Sequence, residues 1–191
     1  MAKVIKLNES QEKLLMEFLS SILYHFTDED KLEFICSNNK IPLTKYDSYF
    51  TNNKQNDEII NKGYPFYLSF TRVKNSNVGF GSWRFTDSIV TVRIEINGDK
   101  LNNNFKGKPV DYFKVKGTTN DFRFVQSEDR LFSRCKFIEN ADKYINRIDI
   151  LLNDLNDINW LNNFKKEKID NTVFKNKVVI YLNKEDFDFQ K

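Results

Sequence analysis

Hydrophobic and polar residues alternate most regularly over residues 88–96, where Val90, Val92, Ile94 and Ile96 interleave with Thr91, Arg93 and Glu95. A period of two puts one set on each face of a strand and has no helical counterpart. Asn97-Gly98 then predicts a closing turn. Residues 66–71 read as a second strand from their aromatic and β-branched content, with Ser69 and Thr71 on one face and Phe70 on the other. Residues 144–151 predict a third strand through Ile145, Ile148 and Ile150, and residues 173–182 a terminal one. Strands are also expected at 109–115 and 121–126, with a short edge strand at 41–43. Residues 128–133 fit either a helical turn or a strand continuation.

Helical spacing comes early in the chain. Over residues 8–23, Leu14, Leu15, Phe18, Leu19 and Ile22 form one apolar face behind an Asn8/Gln11 capping box. The β-prone Tyr24-His25-Phe26 follows at once. Thr27 and Asp30 form a second capping box, opening a short helix through Leu32, Phe34 and Ile35 that ends at Asn38-Asn39. Residues 154–168 are helical around Ile158, Leu161 and Phe164, and residues 45–62 and 75–87 read as long loops. Helices precede strands without βαβ alternation, which predicts one α+β domain over residues 1–191 with a mainly antiparallel sheet.

Composition narrows the class. The chain has 191 residues, enough to bury a core without a metal or disulfide staple. An aromatic share of 15% argues against disorder. Two cysteines, Cys36 and Cys135, make neither a zinc site nor a disulfide framework. No apolar run reaches a membrane span, and residues 1–7 lack the apolar stretch of a secretory signal, so a cytoplasmic protein with no membrane partner is expected. A net charge of +3 permits a nucleic-acid partner without arguing for one. The Asn- and Lys-rich composition suits an AT-biased genome, such as that of a phage or mobile element.

Three short segments carry candidate chemistry. His25, the one histidine, is either structural or, at a strand-to-helix junction, placed to bond a ligand. Arg72 ends the strand carrying Ser69 and Thr71, and reads either as a solvated turn residue or as an anion-binding group. Gln126-Ser127-Glu128 puts an amide and a carboxylate on one face, with a polar strand edge as the plain alternative. Gly79-Phe80-Gly81 lacks the spacing of a dinucleotide or phosphate-binding loop.

Taken in order, these segments resemble the ADP-ribosyltransferase fold, and most closely the DarT-type nucleic-acid ADP-ribosyltransferases. Tyr24-His25-Phe26-Thr27 with Leu32 and Ile35 is similar to the opening strand and helix of that fold. Tyr64-Pro65-Phe66-Tyr67-Leu68 leading to Arg72 looks like the second motif, although the local sequence Ser-Phe-Thr-Arg departs from the usual one. Gln126-Ser127-Glu128, followed by Phe137-Ile138 and residues 144–150, looks like the third. The resemblance covers residues 23–151 and implies an ADP-ribosyltransferase-like α+β fold with a split, mainly antiparallel sheet and a few short helices. The RNA 2′-phosphotransferases share the fold but rely on a paired His and Arg pattern that this chain lacks.

The resemblance implies NAD as co-substrate, with release of nicotinamide and transfer of ADP-ribose to a nucleic acid, or second to a protein. Glu128 would face the ribose, where cleavage of the nicotinamide bond builds positive charge, with the neighbouring Asp129 as an alternative carboxylate. His25, Thr27, Ser69, Thr71 and Gln126 would hold NAD, and Arg72 would pair with the pyrophosphate or assist the acceptor. Phe80 and Trp83, in the loop over residues 75–87, would hold the acceptor by stacking. The alternative is a catalytically silent module of the same fold that holds a nucleotide or nucleic acid.

Overall fold

The computed structural model describes residues 18–45, 63–75, 88–109 and 128–189. Residues 8–17 of the helix expected over 8–23, most of both long loops, residues 110–115 of the strand expected at 109–115, and the strand expected at 121–126 lie outside these residues. Elements are numbered along the described chain.

Strand β5 (Val90–Asn97) is the centre of the molecule, and Val90, Val92, Ile94 and Ile96 are each 0% exposed, as the alternation predicts. Burying side chains of this size stabilises the fold by roughly 1.5–3 kcal/mol each. β5 is flanked by β1 (Ile22–Thr27) and β9 (Ile145–Leu152), both antiparallel to it. Beyond β1 lie β4 (Phe66–Thr71), β7 (Glu128–Ser133) and β6 (Lys106–Pro109). Beyond β9 lies β10 (Val178–Tyr181), the sole parallel neighbour among the described strands. The main sheet therefore runs β10-β9-β5-β1-β4-β7-β6, with β3 (Thr44–Lys45) paired to β4, and β2 (Lys40–Pro42) pairs with β8 (Phe137–Glu139) apart from it.

A register shift between Glu95 and Ile96 explains the uneven spacing of Ile145 and Ile148. The extra residue lets both side chains face the core although they lie three apart. That face is covered by α1 (Glu29–Asn38), through Leu32, Ile35 and Cys36, and by α3 (Ile158–Phe164), through Leu161 and Phe164. Asn39 ends α1 in the left-handed conformation at φ 51°, as its position after Asn38 predicts.

Four expectations are corrected. The first helix does not run to Leu23, because Ile22 and Leu23 pair with Asn97 and Ile96 in β1. Asp28, rather than Thr27, caps α1, its side chain accepting from the Lys31 amide at 3.0 Å. Thr27 is kept in β1 by its pairing with Val92. Asn97-Gly98 does not turn the chain back. Asn97 accepts from the Lys100 amide and starts α2 (Gly98–Asn102). The terminal strand is shorter than residues 173–182, and Asn183 accepts from the Asp186 amide to start a helix, α4 (Lys184–Phe189). The described residues make a mixed α+β arrangement with a mostly antiparallel sheet and short helices. None of those helices is long and apolar enough to cross a membrane.

Candidate functional site

β1 and β4 share one register pair, Tyr24 with Thr71. Further along, β3 rather than β1 lies beside β4, at Phe66 and Tyr67. The two strands therefore separate in the middle of the sheet, and a side chain bridges the gap. The imidazole Nδ1 of His25 lies 3.0 Å from the main-chain oxygen of Ser69. A carbonyl oxygen only accepts, so Nδ1–H donates and Nε2 keeps its lone pair. Burial pushes His25 down to about 4, against the opposing pull of the Ser69 bond, so the ring is neutral at pH 7. The edge of Phe70 packs on the ring, with centroids 6.3 Å apart at 76°.

On the other side of β4, antiparallel register sets Thr71 directly opposite Glu128, and Ser69 opposite Arg130. Side chains directly opposite one another share a face. Tyr24, Ser69, Thr71, Glu128 and Arg130 thus occupy one face, while His25, paired with Ile94, belongs to the helix-covered face. The Glu128 carboxylate is fully buried. Its Oε1 accepts from Arg130 Nε at 3.0 Å and Nη2 at 2.7 Å, while Oε2 is buried with no hydrogen-bond partner among the described residues. The guanidinium compensates a charge that would be costly to bury alone. The Thr71 hydroxyl accepts from the Val73 amide at 3.1 Å, leaving its own proton to donate elsewhere.

Arg72 turns to the opposite face and lies 3.1 Å from Asp129 Oδ1. Asp129 Oδ2 accepts from the Ser20 amide at 2.6 Å. Asp129 is therefore separated from Glu128 by the sheet. Thr27 is 0% exposed on the helix-covered side, with its hydroxyl oxygen unpartnered. Gln126, Phe80 and Trp83 lie outside the described residues. The structure thus brings Ser69, Thr71 and Glu128 together, joins His25 to them through the Ser69 main chain, and sets Arg72 and Thr27 apart.

A second polar cluster on the Glu128 face escapes sequence reasoning. Arg93 is 0% exposed; Nε and Nη2 bond Asp149 Oδ2 at 3.1 and 2.7 Å, and Nη1 bonds the Lys74 main-chain oxygen at 2.9 Å. Arg147 Nε donates to Asp149 Oδ1 at 2.6 Å, and Arg147 also bonds the Tyr181 hydroxyl. Phe187 of α4 stacks on the Arg93 guanidinium at 4.0 Å. Burial, and then the Asp149 carboxylate, raise the Tyr181 phenol above its usual value. Alternation marks these residues as the solvent face of β5 and β9; among the described residues, Phe187 of α4 and the Lys74 main chain lie against Arg93.

Among the described residues no group of three or more His, Cys, Asp or Glu is placed to hold a metal ion. Both cysteines are free, Cys36 buried and Cys135 exposed. No family model matches the chain, and no curated protein or solved structure matches it.

Proposed function

We propose that the chain is an NAD-dependent ADP-ribosyltransferase acting on a nucleic acid. The observation that carries this reading is Glu128 Oε2, a buried carboxylate oxygen with no partner, opposite a threonine whose hydroxyl proton is still to be donated. Buried polar atoms are rarely left unpaired, so an orphan of this kind is an acceptor waiting for a ligand donor. On this reading a ribose hydroxyl of NAD donates to Glu128 Oε2. Cleavage of the nicotinamide bond develops positive charge on that ribose, which the carboxylate opposes.

Arg130 holds Oε1 and fixes the direction of the free oxygen. His25 lies on the other face and positions β4 by its bond to Ser69. Separation of β1 from β4 beyond the Tyr24/Thr71 pair supports the split-sheet form of the fold.

One observation favours the silent module instead: Arg130 already offsets the charge of Glu128, which weakens its pull on a developing cation. Two measurements separate the readings. NAD should raise the melting temperature, because a ligand of the native state stabilises it by RT ln(1 + [L]/Kd). Nicotinamide should be released when nucleic acid is added. A melting shift without release supports the silent module, and neither effect removes both readings.

A further inference from the structure

We propose that β6, the outermost described strand on its side of the sheet, with β7 and the bend over residues 134–136, holds the backbone of a single nucleic-acid strand on Lys106, Lys108 and Arg134. This deepens the proposed function and rests on it for the fate of the bound strand. Lys106 Nζ and Arg134 Cζ lie 5.6 and 5.2 Å from the centre of the Tyr64 ring. Lys108 stands two residues beyond Lys106 on the same face of β6, directly opposite Arg130. Arg130 in turn lies 4.9 Å from the centre of the Tyr67 ring and bonds Glu128. Register puts Lys106 and Lys108 on the face where Glu128 lies, and the shared Tyr64 ring sets Arg134 beside Lys106.

The exposed charges described at this edge have one sign. Every charged side chain of β6 and of residues 134–136 is a cation, and Lys106, Arg134 and Lys136 are exposed. The two carboxylates of β7 are buried, paired with Arg130 and Arg72. The chain as a whole carries only +3, so the edge concentrates positive charge rather than sharing a general excess. Cations in a row beside tyrosine rings match a strand whose phosphates need neutralising and whose unpaired bases present faces for stacking. An acidic protein supplies negative charge but no row of unpaired bases to stack on the tyrosine rings.

Cys135 reports on the surface directly, because it is exposed and lies between Arg134 and Lys136. Alkylation of Cys135 is followed with and without a mixed-sequence single-stranded oligonucleotide, while anisotropy of the labelled oligonucleotide gives its affinity against salt. Protection of Cys135 is expected, with log K falling against log salt at a slope of about −2, from three phosphates at about 0.7 each. The double variant K106E/R134E should lose about tenfold or more in affinity and most of the slope, with NAD binding unchanged. K106Q/R134Q, which adds no negative charge, should lose the slope in the same way if the first variant is unstable. Unprotected Cys135, an unchanged slope in both variants, or equal protection by poly-glutamate would overturn the proposal. Oligonucleotide binding at this edge without any NAD binding would keep the surface and remove the transferase reading.

Discussion

His25 closes the gap between β1 and β4 by donating from Nδ1 to the Ser69 carbonyl at 3.0 Å. A side chain thereby satisfies a main-chain acceptor at the point where the sheet parts, and the price is a partly buried, neutral imidazole.

That arrangement makes stability depend on pH in one direction. The folded-state value lies near 4 and the usual value is 6.5, so the unfolded chain binds a proton that the folded chain refuses. The contribution is complete above 6.5 and is lost as pH falls towards 4, at about 1.4 kcal/mol per pH unit. Denaturant melts of wild type and His25→Asn across this range should converge at low pH. Asn keeps a donor for Ser69 and does not titrate, so parallel curves would mean that His25 is charged in the folded protein.

On the proposed reading, Glu128→Gln removes the negative charge while keeping an acceptor oxygen. Nicotinamide release should fall roughly 100-fold, equivalent to about 3 kcal/mol, with NAD affinity nearly unchanged. Calorimetry and a release assay on the same preparation check the split. Equal release by both proteins would take Glu128 out of the chemistry.

Arg93 and Asp149 are a buried pair, so removing one partner leaves the other charge uncompensated. Asp149→Asn is expected to destabilise by about 3–5 kcal/mol. Asp149→Leu with Arg93→Met should recover much of that loss, since both charges leave together. A double variant no more stable than the single one would show that the cluster does not act as a pair.

Gly98 is fixed by close approach. A Cβ there would sit 1.8 Å from the Ser20 main-chain oxygen, while the Gly98 amide donates to Ser21 at 2.8 Å. Backbone on both sides cannot yield without breaking that bond, so Gly98→Ala should cost about 2–3 kcal/mol. A melting temperature equal to wild type would mean that residues 20–21 move freely.

Thiol chemistry should separate the two cysteines. Burial pushes the Cys36 thiol up to about 12, whereas Cys135 is exposed. A disulfide reagent at pH 8 should titrate one thiol in the folded protein and two in denaturant. Two fast thiols in the native state would contradict the packing of Cys36 beneath the sheet.

Local pattern determined much of this molecule. The strict alternation of β5 and the aromatic run of β4 each specify a strand and the face it buries, because a period of two is written in consecutive residues. Asn39 likewise ends α1 for a reason confined to its own backbone. Tertiary structure decided the rest. Arg93 and Asp149 read as polar positions on solvated faces and Glu128 as a candidate site carboxylate, and each is buried. α4 and residue 74 cross Arg93 and Asp149, while Arg130 compensates the charge of Glu128. His25 reads as a structural or ligand-bonding group at a strand-to-helix junction, yet its bond to Ser69 is made where β3 takes the place of β1 beside β4. Burial and pairing of a charge depend on which distant element lies over it, and no local pattern carries that information.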